Sequence, residues 1–143
     1  MFIGEYQHTI DGKGRMAVPA KFRPKLGGGA IITRGLDRCL FVFTESEWEV
    51  LAKKIMELSL LKSDSRAFAR FTMAGASDAE FDSQGRILIP AHLREYAGLK
   101  KEAVVTGVYQ RIEIWDTAAW KDYRAKTEKN SDAIAEKLSE SGL

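Results

Sequence analysis

The residues best suited to chemistry stand in two matching short runs, Asp11-Gly12-Lys13-Gly14-Arg15 and Asp82-Ser83-Gln84-Gly85-Arg86. Aspartate followed three residues later by glycine describes a tight turn, in which the carboxylate bonds backbone amides and the glycine takes a left-handed conformation. Nothing in such a turn requires an arginine at the next position, yet Arg15 and Arg86 recur there in one register, each at the start of a strand. A guanidinium is a planar fork of donors that fits phosphate, or the O6 and N7 atoms of guanine, and a protruding β-loop can enter a major groove. The expected contacts to double-stranded DNA are therefore Lys13, Arg15, Gln84 and Arg86. Asp11, Gly14, Asp82 and Gly85 are expected to shape the turns and orient the arginines, since an unpaired carboxylate facing a polyanion would be repelled.

Enzymatic chemistry has no comparable signature. His8 and His92 lie in different halves of the chain, and there is no HExxH, CxxC or Gly-x-Ser-x-Gly run. Gly12-Lys13-Gly14 is not a phosphate-binding P-loop, because arginine follows the second glycine and the spacing is wrong. Gly27-Gly28-Gly29 follows an expected helix and suits a helix stop better than a phosphate cradle. The expectation is no catalytic residue, no metal and no cofactor.

The elements that must position the two turns are themselves written twice. Ile10 to Arg23 aligns with Phe81 to Arg94 as apolar-Asp-x-x-Gly-Arg, three apolar residues, then Pro-Ala-x-apolar-Arg. After a one-residue slip, Cys39 to Trp48 aligns with Arg111 to Trp120. In both blocks an aromatic residue (Phe43, Trp115) precedes a helix-capping residue (Thr44, Asp116), and a tryptophan (Trp48, Trp120) stands at the fourth helical position. This spacing predicts a hydrophobic staple in each copy, and Thr44 with Glu47 predicts a capping box.

Each copy reads as an apolar stretch, the glycine turn, a strand (Arg15 to Val18; Arg86 to Ile89), a short helix opened by proline, two further strands and the stapled helix. The further strands are Ala30 to Thr33 and Cys39 to Phe43 in the first copy, Ala103 to Thr106 and Arg111 to Trp115 in the second. Pro24 is expected to end or kink the first short helix near Arg23, whereas Pro90 to Ala97 runs clean to Gly98. Trp48, Leu51, Ile55 and Leu58 give the first long helix one apolar face, for the core or a partner. Lys62 to Ser65 reads as a polar break, Arg66 to Met73 as another short helix, and Lys126 to Leu143 as a solvated or frayed helix. The expected division is a first module at 5–48, a helical connector at 49–75, a second module at 76–120 and a C-terminal helix or tail at 121–143.

At 143 residues, two independent halves would be marginal, because a unit of about 60 residues hides only about 60% of its unfolded surface. The halves are expected to share one core. No run approaches the roughly 18 apolar residues of a membrane span. The start, Met1 to Glu5, lacks the basic and apolar regions of a secretory signal, so the protein is expected to stay in the cytoplasm. The single cysteine, Cys39, cannot form an internal disulfide and reads as a small core residue. A formal net charge of +2 does not by itself announce nucleic acid. Locally, Lys13, Arg15, Lys21, Arg23 and Lys25 oppose only Glu5 and Asp11 around the first turn, while Asp78, Glu80, Asp82 and Glu95 outnumber Arg86 and Arg94 around the second. The first copy is expected to supply most of the charge-driven affinity.

With these motifs in place, the sequence resembles the MraZ family, within the wider group of AbrB-like swapped-hairpin DNA-binding domains. The resemblance spans essentially the whole chain: the Met1-Phe2-x-Gly4 start, both Asp-x-x-Gly-Arg turns, Pro19-Ala20-Lys21-Phe22-Arg23 and Glu113-Ile114-Trp115. It implies an α+β fold of two tandem βα modules whose hairpins interlock into a pseudo-dimeric β-barrel with flanking helices. It also implies a ring-shaped homo-oligomer, nucleoid association, and control of the promoter of its own division and cell-wall gene cluster through short tandem repeats. A closed array would raise the effective concentration of many weak loop contacts. The competing expectation is a non-enzymatic, antitoxin-like or partner-binding assembly module.

Overall fold

The strands divide by burial before they divide by order. Leu40–Thr44 (β4) and Arg111–Asp116 (β8) are buried at most positions, as expected of runs such as Leu-Phe-Val-Phe at the centre of a sheet, whereas Phe2–Thr9 (β1) is largely exposed and lies at an edge. In a computed structural model describing residues 1–143, the remaining strands are Arg15–Ala17 (β2), Ala30–Arg34 (β3), Ser77–Ala79 (β5), Arg86–Leu88 (β6) and Glu102–Tyr109 (β7). Six of them form one antiparallel sheet in the order β1-β7-β8-β4-β3-β5, and β2 and β6 form a separate two-stranded ribbon.

This order is symmetric under exchange of the two sequence copies. β1 pairs with β7 and β5 with β3, so the opening strand of each copy lies against a strand of the other. The ribbon repeats the exchange, with Arg15 opposite Leu88, Met16 opposite Ile87 and Ala17 opposite Arg86. Two pairings join residues that are counterparts in the repeat, Met16 with Ile87 and Phe41 with Glu113, and they mark where a local twofold axis passes. The fold is therefore a swapped-hairpin arrangement of tandem modules. Backbone bonds do not close the sheet between β1 and β5; ribbon and sheet instead share a single cluster of 19 buried residues. Met16 and Ile87 in the ribbon, and Val105, Ile112 and Ile114 in the sheet, all belong to it. Each such side chain contributes about 1.5–3 kcal/mol on burial, and neither half could keep that contribution alone.

The axis at the seam is asymmetric in chemistry. Glu113 is buried and is satisfied by Arg111, through Nε at 3.0 Å and Nη2 at 2.9 Å, and by the Trp115 indole N–H at 3.0 Å. The Arg111 guanidinium also lies over the Phe41 ring, 4.5 Å from its centroid.

The helices are Arg23–Leu26 (α1), Glu45–Met56 (α2), Ser63–Ala69 (α3), Ala91–Tyr96 (α4), Thr117–Lys129 (α5) and Ser131–Ser139 (α6), with a π-helical turn at Arg70–Ala74 after α3. Both staples are present, with Phe43 and Trp48 ring centroids 6.0 Å apart and Trp115 and Trp120 5.3 Å apart. Thr44 accepts from the Glu47 amide at 3.2 Å and Asp116 from the Ala119 amide at 3.1 Å. Only this half of the expected capping box forms; Thr44 is already paired with Ala30 in the ladder, and Glu47 makes no return bond.

Several local expectations are corrected. Pro24 lies in the first turn of α1, where a missing N–H costs nothing, so it opens that helix instead of ending one begun at Pro19. Pro90 stands just outside α4 as its cap. The polar break is shorter than expected, because α3 already starts at Ser63. Cys39 is buried immediately before β4 with its thiol donating to the Leu36 carbonyl at 3.3 Å, and burial raises its pKa well above the ordinary range. Of the apolar face on α2, only Ile55 is buried, and Leu58 lies beyond the helix end and is exposed. From Lys121 onward every residue of the two C-terminal helices is exposed, with Tyr123 packed on Trp115 and Arg124 paired with Glu5. No helix is long and apolar enough to cross a membrane.

Candidate nucleic-acid interface

The Asp-x-x-Gly-Arg turns have the same bond pattern twice over. Asp11 Oδ1 accepts the amides of Lys13 and Arg15, both at 2.9 Å, and its Oδ2 accepts Arg15 Nε at 2.7 Å. Asp82 Oδ1 accepts the amides of Gln84 at 2.8 Å and Arg86 at 3.0 Å, and its Oδ2 accepts Arg86 Nε at 2.9 Å. In each turn the glycine amide closes back on the aspartate carbonyl at 3.0 Å. Gly14 and Gly85 have φ of +83° and +76°, the left-handed conformation that the sequence pattern called for. Both aspartates thus serve the turn and orient the arginine.

The hydrogen bonds from amides and guanidinium have an electrostatic consequence. They stabilise the ionised carboxylates, led in each case by the arginine's own backbone amide. Asp11 is held down to about 2 against an opposing push from desolvation, and Asp82 is also lowered.

The exchange of hairpins brings the two turns onto one surface. Met16 and Ile87 are buried, so the alternation of the ribbon sends Arg15, Ala17, Arg86 and Leu88 to its opposite face. Arg15 and Arg86 are diagonal neighbours there, a relation that places backbones about 7–8 Å apart. Arg86 Nη1 comes within 3.6 Å of Asp11 Oδ2, so Asp11 holds its own arginine and touches the other. The arginine side chains are 34% and 27% exposed, and no hydrogen bond within the chain uses an Nη atom of either one. The clamps take Nε, and the one further approach to either fork is that of Arg86 Nη1 to Asp11. Lys13 and Gln84 are exposed at equivalent places in the turns.

Grouping residues by sequence neighbourhood assigns Arg23 and Arg94 to their own copy's turn and leaves Lys100 and Lys101 out. Arg23 and Arg94, the last residues of the repeated motif, lie against Gly85 and Gly14 of the opposite copy. Their recurrence was the available signal. Lys100 and Lys101, in the connection between α4 and β7, line a groove with Asp11 and Gly12, and Ile10 donates to the Lys101 carbonyl at 2.8 Å. Only the strand exchange reveals that neighbourhood. Conversely, Lys25 sits over the Phe2 ring at the opposite end of β1 from the first turn, so the local charge count had credited it to the wrong place.

Crossed hairpins of two tandem modules, bearing twin arginine turns on one ribbon, define a swapped-hairpin protein of the DNA-binding regulator class. A family model described as "MraZ protein, putative antitoxin-like" matches the chain twice, at residues 1–71 and 72–141. The chain belongs to the MraZ family. It is 50% identical over 143 residues to the transcriptional regulator MraZ of Alkaliphilus oremlandii, covering all of both chains. It is 52% identical over 143 residues to that of Desulfitobacterium hafniense strain Y51, again covering all of both, and 51% identical over 138 residues to that of Natranaerobius thermophilus, covering 96% of each.

Proposed function

We propose that this protein is a sequence-specific, double-stranded-DNA-binding transcription regulator that grips its site through the β2–β6 ribbon and its two turns. The observation that carries this reading is the presentation of Arg15 and Arg86 on one face by matching aspartate clamps, with no hydrogen bond within the chain to their Nη nitrogens. In this reading Lys13, Arg15, Gln84 and Arg86 touch DNA, while Asp11, Gly14, Asp82 and Gly85 hold the turns. A two-stranded ribbon fits a major groove about 12 Å wide. The protein acts without catalysis, metal or cofactor, in the cytoplasm at the nucleoid, and controls the division and cell-wall gene cluster that contains its own gene through tandem promoter repeats.

Two modules, divided at 5–48 and 76–120, give one chain two contacts, and a ring of chains would span several repeats. The exposed apolar run Met56, Leu58, Leu60 and Leu61, of which Leu61 is 90% exposed, supports self-association through the connector. The same run supports a second reading, an antitoxin-like module that docks another protein, and a pull-down dominated by one stoichiometric partner would favour it. The deciding experiment is a fluorescence anisotropy titration at fixed salt of the protein's own upstream DNA against a shuffled duplex, beside a solution mass measurement. Arg15→Ala with Arg86→Ala is expected to abolish the preference for the upstream sequence while leaving the mass unchanged. Undiminished affinity in that double variant would overturn the proposal.

A further inference from the structure

The motif that defines the repeat ends in an arginine, and in neither copy does that arginine serve its own turn. Arg94 follows Leu93, a fully buried residue of α4 in the second copy, and its guanidinium lies against Gly14 in the first. Arg23, at the start of α1 and next to the buried Phe22, lies against Gly85 in the second copy, where a Cβ added to the glycine would meet the guanidinium at 2.7 Å. Each also closes a bonded circuit. Arg94 Nη1 donates to the Ile89 carbonyl, while the Ile89 amide donates to the Gly14 carbonyl at 2.9 Å. Arg23 Nε donates to the Val18 carbonyl at 2.9 Å, while the Val18 amide donates to the Gly85 carbonyl at 3.3 Å.

We propose that Arg23 and Arg94 are positioning residues for DNA binding that act across the module boundary, Arg94 setting the turn that carries Lys13 and Arg15, and Arg23 setting the turn that carries Gln84 and Arg86. The inference rests on the reading of these turns as DNA contacts. Both glycines must be left-handed, and a bare left-handed glycine is free to leave that conformation. A planar cation packed on the glycine, tied through one shared residue to its carbonyl, removes that freedom. Because the anchor sits on the other copy's helix, the aim of each arginine fork depends on how the two copies are docked. The stem and fork both matter, so lysine is an incomplete substitute.

The test is a set of double-substitution cycles read by anisotropy with the duplex used for the parent protein, paired with amide hydrogen exchange on the free protein. R94A is expected to weaken binding about 5- to 20-fold alone, to add no more than about twofold on the R15A background, and to keep its full effect on R86A. R23A is expected to show the mirror-image dependence. In the DNA-free protein, R94A is expected to speed exchange of the Gly14 and Arg15 amides at least about tenfold relative to Gly85 and Arg86, and R23A the reverse. R94K and R23K, which keep the charge and lose the fork, should shift both readouts in the same direction by less, and they replace the alanine variants should those fail to fold. An R94A effect that persists undiminished on R15A, or exchange that rises equally in both turns, overturns the proposal. Should R15A and R86A leave DNA binding intact, the DNA reading fails, and the exchange asymmetry alone still decides the positioning role.

Discussion

Asp11 holds its own arginine and lies near the other copy's as well, whereas Asp82 pairs only with Arg86. The first turn carries Lys13 and is flanked by Lys100 and Lys101 from the second copy; the second carries Gln84, and the residues at the equivalent point of the first copy are glycines, Gly27 to Gly29. Backbone and clamp are common to both turns, while surrounding charge is not. The geometry that aims a guanidinium is thus independent of the charge around it. On the proposed reading of the turns as DNA contacts, they are expected to act as a strong and a weak version of one device, with phosphate attraction concentrated at the first.

The largest expected effect separates them directly. A bidentate arginine–base contact is worth about 1–3 kcal/mol, so R15A and R86A should each weaken specific binding by roughly 5- to 150-fold, with R15A the more damaging. Equal losses in an anisotropy titration would break the ranking. Next, alanine at a left-handed glycine costs about 1–2 kcal/mol of folding stability, and urea denaturation should find G14A and G85A both in that range. Gly14 is the more buried of the two, so G14A should sit at the upper end.

Charge exchange sharpens the comparison at a smaller scale. Lys100→Ala with Lys101→Ala should flatten the dependence of log K on log salt by up to about 1.8, while Q84K should steepen it by about 0.9, since each phosphate contact accounts for about 0.9. A slope unchanged by the lysine pair would remove those residues from the interface. Smallest of all is the response to acid. Asp11 is lowered in the fold from 3.8 to about 2, so its contribution to the first turn is complete above pH 4 and is lost as pH falls toward 2. Amide chemical shifts of Lys13 and Arg15 should follow that titration, and an inflection near pH 4 would show that the clamp is absent in solution.

Much of the site was legible because its signals are local. An aspartate, a glycine and an arginine within five residues specify a turn and its clamp, and duplication separated Arg15 and Arg86 from background. The staples at Trp48 and Trp120 were readable for the same reason. What required coordinates was everything that crosses between copies. Lys25 was counted with the first turn and lies elsewhere, Lys100 and Lys101 were not counted and lie beside it, and Arg23 and Arg94 trade places. Chain distance is a poor guide to spatial distance once hairpins are exchanged. Pro24 misled for a different reason, since proline is a breaker within a helix and an opener at its first turn, and only the position of the helix start distinguishes the two.

The pairing of Phe41 with Glu113 at the centre of the sheet limits how such a chain could be dismantled. Two copies of the second half alone, brought together as a homodimer, would set a buried glutamate opposite its own twin, with like charges facing each other in a dry strand pair. Two copies of the first half would set phenylalanine against phenylalanine and contain neither Arg111 nor Glu113, both of which belong to β8 of the second half. Only the unequal union lets one side supply the ring and the other the ion pair, so each half meets at the join a chemistry that it does not itself carry.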